Sequence, residues 1–237
     1  VCMKKTSLSD IARQLGVSKT LVSLVLNGKA KEHRISDEVS NKVKKLAKEL
    51  NYKPNQIAKG LRTGKTNTIG LIIADIANPF FGKLGREIEK EAARHGYRIV
   101  FCSSDENPEN SQKQIEMLQQ GQVDGFIIAP PAGSENQILS LKRNRIPFVL
   151  IDRNFPDIDT NYIVVDNIQA AFDATDHLVK KGYKKIACVT LNVHLNNMNQ
   201  RVLGYKQALI ENNIPVDEDL IKMMPFTHEK DDIVEAV

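Results

Sequence analysis

The chain has 237 residues, is 41% hydrophobic and 26% charged, and carries 33 basic against 29 acidic side chains, a balance that excludes a disordered or fibrous protein. No stretch approaches the ~20 apolar residues that cross a bilayer, and no basic segment followed by an apolar run opens the chain, so a cytoplasmic location and no membrane partner are expected. Cys2, Cys102 and Cys188 lack the paired spacing of a disulfide framework or zinc site; Cys102 and Cys188 read as apolar strand residues.

The net charge of +4 conceals an asymmetry. Residues 1–65 hold 15 Lys and Arg against 5 Asp and Glu, whereas residues 66–237 hold 18 against 24. A basic opening on an acidic remainder points to a head that binds a polyanion and a body with another task.

Ser7-Leu8-Ser9-Asp10 has the form of a capping box and predicts a helix whose Leu8, Ile11, Ala12 and Leu15 share one face, with Gly16 supplying a tight turn. Ser18 caps a second short helix, Lys19 to Leu26, which Asn27-Gly28 ends. After a basic loop, Ser36 caps a third, with Val39, Val43, Leu46, Ala47 and Leu50 as its apolar stripe. Packing Val22, Val25 and Leu26 inward leaves Lys19, Thr20, Ser23 and Leu24 outward, the arrangement of a helix-turn-helix unit whose second helix enters the major groove.

The segments Leu8-Ser9-Asp10-Ile11-Ala12, Gly16-Val17-Ser18, Val22-Ser23, Val25-Leu26-Asn27-Gly28 and Leu50-Asn51-Tyr52-Lys53-Pro54-Asn55 closely resemble the N-terminal signature of the lactose-repressor (LacI/GalR) family of bacterial transcription regulators. The resemblance implies that Lys19, Thr20, Ser23 and Leu24 read bases, and that Ser18, Asn27, Asn55, Ile57, Ala58 and Leu61 also meet DNA; His33, by its place in the basic loop, is expected to approach phosphate. Leu21 stands where the family often has Thr. Leu24 stands where many members carry an Arg that bonds guanine; leucine packs on a thymine methyl instead, so the preference shifts away from guanine at that step.

Pro54 to Gly64 has proline at a helix start and an Ile57/Leu61 pair four apart. A helix this short with Gly60 inside it is unstable alone in water. The resemblance implies a hinge helix that forms on DNA, with Leu61 as the side chain wedged between base pairs.

From Thr68 the pattern alternates. Ile69–Ala74, Tyr97–Cys102, Gly125–Ala129, Phe148–Ile151 and Tyr162–Val165 read as strands, separated by helices over Phe80–His95, Pro108–Gln120 and Glu135–Arg143. Nearly all-apolar strands between helices mean an α/β fold with a parallel sheet covered on both faces. Asn167–Lys181 as a helix, Lys185–Thr190 as a strand and Arg201–Asn212 as a helix restart the pattern, and too few strands follow for a complete second unit. The body resembles the periplasmic-binding-protein-like, two-lobed effector domain of the same family. The expected domains are a head at 3–53, a hinge and linker at 54–66, a first lobe at 67–165 and a second, incomplete lobe at 166–237.

The body has no Gly-x-Ser-x-Gly, no Walker loop and no paired histidines at metal spacing, so no catalytic residue, metal or other cofactor is expected. Asp75 to Phe81, Asp152-Arg153-Asn154 and Arg201 fall beyond strand ends, where such sheets bind ligands. Carboxylate, guanidinium and aromatic groups gathered there suit a sugar. By resemblance, Phe80, Phe81, Asp152, Arg153 and Arg201 line the effector pocket. The expected protein is a repressor that reads a pseudo-palindromic double-stranded operator as a homodimer under control of a small molecule, a sugar. Its rival is a sugar-binding protein or sugar-processing enzyme with an incidental basic N-terminus.

Overall fold

Three capped helices build the head. The computed structural model describes residues 6–53, 64–191 and 195–224, and the chain divides into two compact units, Val1–Gly64 and Lys65–Val237. Helix α1 spans Leu8–Leu15. The Ser7 hydroxyl accepts the Asp10 N–H, and the Asp10 carboxylate accepts the Ser7 N–H at 2.9 Å, so the capping box forms as the sequence predicts. Gly16 closes α1 at φ 65°, a left-handed conformation that any side chain would disfavour. Helix α2, Lys19–Leu26, is capped by Ser18, and α3, Asp37–Glu49, by Ser36. Each such cap is worth about 1 kcal/mol. Ile11, Ala12, Val22, Val25, Val43 and Ala47 form the buried core, and Leu15, Leu21, Leu26 and Tyr52 close over it.

The body begins with β1, Thr68–Ile73, and continues through α4, Pro79–Arg94; β2, Arg98–Ser103; α5, Pro108–Gln120; β3, Gly125–Ile128; α6, Glu135–Arg143; β4, Phe148–Ile151; and β5, Tyr162–Ile163. These strands form one parallel sheet in the order β2-β1-β3-β4-β5. Alternate residues of β1 serve opposite faces. Leu71 and Ile73 pack with Phe81, Ala129 and Ile151 on the α4 side, whereas Ile72 packs with Ile115, Leu118, Ile138 and Leu141 of α5 and α6. Burial on both faces is why the strands read as unbroken apolar runs. The strand order reverses direction between β1 and β3, and in sheets of this kind ligands bind beyond the carboxyl ends of the strands at such a point.

A second, two-stranded parallel sheet follows, made of β6, Cys188–Leu191, and β7, Ile221–Met224, with α7, Asn167–Lys180, and α8, Asn196–Glu211, against it. A 3-10 turn at Glu218–Leu220 leads into β7. Helices α7 and α8 approach closely because Gly204 lies against the Ile168 carbonyl, where a Cβ would collide with backbone.

Several boundaries depart from expectation. Helix α8 starts at Asn196 instead of Arg201: asparagine is a poor interior helix former but is tolerated in a first turn, where its N–H needs no intrahelical acceptor. Lys185–Ala187 lies outside β6, and β5 stops at Ile163 because β4, its partner strand, ends at Ile151. Strand β7 had no signal, since Ile221-Lys222-Met223-Met224 has one β-branched residue and no alternation.

Candidate nucleic-acid interface and effector cleft

In the head, α2 buries Val22 and Val25 and sets Lys19 and Thr20 in solvent, with Ser23 and Leu24 half-exposed beside them. Leu24 takes no part in the core, whereas Leu21 packs onto it, which places Leu24 outward and Leu21 inward. Ser18 Oγ accepts the Leu21 N–H at 3.1 Å, so that hydroxyl serves the helix start. The Asn27 amide donates to the Ser23 carbonyl at 2.7 Å and faces the Ser23 hydroxyl at 3.3 Å, fixing both side chains at the end of α2. Lys29, Lys31, His33 and Arg34 are exposed in the following loop. A rigid, capped helix with a polar outer row flanked by cations is suited to phosphate contacts and base edges. Asn55, Ile57, Ala58, Leu61 and the whole expected hinge helix lie outside the described residues.

In the body, the expected site residues come from the start of α4, the turn after β4 and the helix α8. Asp75 Oδ1 accepts the Ala77 N–H at 2.7 Å, and Asn78 caps α4 through the Phe80 N–H at 2.9 Å, with Pro79 in its first turn. This start turns the two phenylalanines apart. Phe81 is 3% exposed and belongs to the core, while Phe80 is 51% exposed, with the rings edge-to-face at 5.0 Å. Phe80 is thus the exposed aromatic of this turn, and Phe81 packs beneath it in the core.

Asp152 follows β4 at φ 64°, a left-handed conformation that aspartate adopts more readily than most residues. Burial pushes its carboxyl above the usual range, against the opposing pull of the Arg153 and Arg201 guanidinium groups. Arg153, 5% exposed, turns inward: Nη1 and Nη2 each bond one Glu106 oxygen, Nη1 also lies 3.5 Å from the Pro130 carbonyl, and Nε stands 3.3 Å from Asp152 without a hydrogen bond. Arg153 therefore forms a strut beneath the rim that ties the turn after β4 to the turn after β2.

Arg201, on α8, donates from Nε to the Asn167 Oδ1 at 2.8 Å, and Asn167 in turn donates to the Val165 carbonyl at 3.1 Å. Asn196 reaches Asn154 at 3.0 Å and links α8 to the loop after β4. A cavity of about 250 Å³ lies there, lined by Pro130, Arg153, Asn154, Phe155, Leu195 and Asn196. Next to Arg201 a mostly apolar cavity of about 360 Å³ is walled by Ala170, Ala174, Leu178, Cys188 and Tyr205.

Sequence reasoning missed Glu106, Asn167 and Asn197. Asn197 is 3% exposed, and neither its amide nitrogen nor its oxygen finds a hydrogen-bond partner among the described residues. An unpaired buried carboxamide costs several kcal/mol, which sets Asn197 apart from the other polar residues of α8. Its signal was position: four residues before Arg201, hence on the same face once α8 is drawn from Asn196. Among the described residues no cluster of three or more His, Cys, Asp or Glu could hold a metal, and no described helix is long and apolar enough to cross a membrane.

A capped helix-turn-helix head followed by a parallel α/β body with a polar strand-end rim is the plan of a bacterial regulatory protein. Residues 7–55 match the bacterial regulatory proteins of the lacI family, and residues 66–232 match the periplasmic binding proteins and sugar binding domain of the LacI family. The chain belongs to that family. It is 34% identical over 228 residues to the HTH-type transcriptional regulator DegA of Bacillus subtilis (strain 168), covering 95% of this chain and 67% of DegA. It is 35% identical over 233 residues to catabolite control protein A of Priestia megaterium, covering 98% and 68%. The fold resembles the crystal structure of the Lac repressor dimer bound to operator and the anti-inducer ONPF, with a TM-score of 0.79 at 24% identity over 90% of this chain and 64% of that one. The chain thus spans about two thirds of the length of these relatives. They are regulators and not enzymes, in keeping with the expectation of a body without catalytic duty.

Proposed function

We propose that the protein is a cytoplasmic transcription repressor that binds a pseudo-palindromic operator as a homodimer, with affinity set by a small polar molecule, a sugar, at the rim of the body. The observation that carries this reading is the pairing of an outward polar row on α2 with a body that carries Asp152, Arg201 and the buried Asn197, whose side chain has no hydrogen-bond partner among the described residues. Dimerisation follows from information content, because one short recognition helix contacts too few base pairs to select a genomic site. Asp152, Arg201 and Asn197 supply acceptor, donor and mixed groups for hydroxyls, and Phe80 supplies an apolar face for a sugar ring. Arg153 contributes by holding the turn that presents Asp152.

Gel-shift titration of the chain, with and without residues 1–65, against duplexes enriched from a randomised pool tests the regulator reading. Specific binding that disappears on deletion and falls steeply with salt supports it; binding unaffected by deletion favours the rival sugar-binding protein or enzyme. A thermal-shift screen of sugars, repeated on Arg201→Ala and Asn197→Ala, tests the rim. A stabilising sugar whose effect survives both substitutions removes these residues from the site.

A further inference from the structure

Just ahead of β1, one side chain holds the incoming chain. Asp124, the residue before β3, accepts the Thr66 N–H at 2.7 Å and faces the Thr66 hydroxyl at 2.9 Å through Oδ1, while Oδ2 accepts the Asn67 N–H at 2.9 Å. The hydroxyl's single proton is shared with the Gln122 carbonyl at 2.8 Å. Asn67 and Gln122 both sit in left-handed conformations, φ 50° and 56°, bending the two segments towards each other.

The sheet does not need this clamp. The ladder at this edge is already made by backbone groups, Asp124 N–H to Thr68 carbonyl at 2.8 Å and Arg98 N–H to Asn67 carbonyl at 2.9 Å, with β1 and β3 in register from Ile69 opposite Gly125. What the carboxylate adds is order at residues 66 and 67, where the chain emerges from the linker. Hydrogen bonds donated to a carboxylate are about twice as strong as neutral ones, so the direction of that emergence is fixed by Asp124.

The clamp also shares strands with the rim. At their far ends, β1 leads to Ala74, whose carbonyl accepts the Glu106 N–H at 3.1 Å, and β3 leads to Pro130, whose carbonyl lies 3.5 Å from Arg153. A strand of this length is ~15–20 Å of rigid backbone, so the Glu106–Arg153 strut and the Asp124 clamp are opposite ends of one two-strand unit.

We propose that Asp124 is a positioning residue for DNA binding: its carboxylate sets the course on which the linker leaves the body, and so the placement of the two heads of a dimer on one operator. The proposal rests on the regulator reading. Loss of the clamp is therefore read as lost orientation of the chain at residues 66 and 67.

The test measures the affinity of the full chain for a labelled duplex that the unsubstituted chain enriches from a randomised pool, relative to random duplex. Asp124→Ala lowers that ratio at least tenfold, Thr66→Val about threefold, and Thr66→Ser, which keeps both donors, leaves it unchanged. Trypsin cleavage after Lys65 accelerates in Asp124→Ala, reporting the released clamp. Thr66→Val keeps the proposal open to refutation should Asp124→Ala fold poorly, because it removes one hydroxyl, with its contacts to Asp124 and Gln122, and leaves both backbone bonds to the carboxylate. A ratio that stays within twofold in the folded variants, with the unsubstituted chain still discriminating, overturns the role of Asp124 and leaves the regulator reading standing. An unsubstituted chain that discriminates no duplex overturns both.

Discussion

Removing the Glu106 carboxylate isolates a buried charge. The Arg153 and Glu106 side chains are 6% and 12% exposed and joined through both guanidinium Nη atoms, so Glu106→Ala leaves a guanidinium in a poorly solvated site. Breaking a buried pair from one side costs about 3–5 kcal/mol. Asp152, 3.3 Å from Nε, is available as a partial replacement partner, which puts the expected loss near the lower end, about 3 kcal/mol. For a unit the size of the body this lowers the melting temperature by roughly 6–12 °C. Urea or thermal denaturation of the chain, read on the body transition, measures it. The paired substitution Glu106→Leu with Arg153→Met, which removes both charges, is expected within about 1 kcal/mol of the original. If Glu106→Ala alone costs less than about 1 kcal/mol, the pair is solvated and Arg153 does not brace the rim.

Ile11→Ala, at a fully buried position of the head, removes about 2–5 kcal/mol, comparable with the entire stability of a unit of some 50 residues; DNA binding is lost while the body's melting transition is retained, and a head that still binds DNA at full affinity contradicts the assigned core. Gly204→Ala forces a methyl into the Ile168 carbonyl and should separate α7 from α8, seen as a lower melting temperature and faster amide exchange in both helices. Because the Asp152 carboxyl is raised in the folded state by burial, its ionisation opposes folding at neutral pH, and that penalty fades as pH falls through the raised value. Asp152→Asn should therefore gain stability at neutral pH and lose the advantage in acid, and a gap between the two melting curves that does not narrow on acidification would refute it. Leu24→Arg should move the preferred half-site towards guanine at the contacted step, as read by selection from a randomised pool; an unchanged half-site removes Leu24 from the reading row.

Much of the head was legible in the linear chain because its information is local. Caps lie three residues from the amides they satisfy, apolar stripes repeat every three or four residues, and Ser7, Asp10, Ser18 and Ser36 take the roles their spacing dictates. The strands of the first sheet were legible for the same reason, since burial on both faces writes itself into six or fewer consecutive residues. Where periodicity carried no signal, reading failed: the asparagines opening α8 look like a loop, and the methionines of β7 look like nothing in particular.

The rim was legible only as a set of strand ends. That Arg153 turns inward to Glu106, that Phe81 enters the core and leaves Phe80 at the surface, and that Asn167 orients Arg201 are decided by partners 47, 34 or more residues away, or by which side of a capped helix meets the sheet. Composition and spacing cannot rank those partners, because each side chain has several chemically acceptable ones. The fold selects among them by bringing only one within hydrogen-bonding distance, out of water, where leaving it unpaired is costly. The amino-acid order alone thus determines the helices of the head, the strands of the first sheet and the family, and the packed tertiary arrangement decides which polar side chains remain available to a ligand.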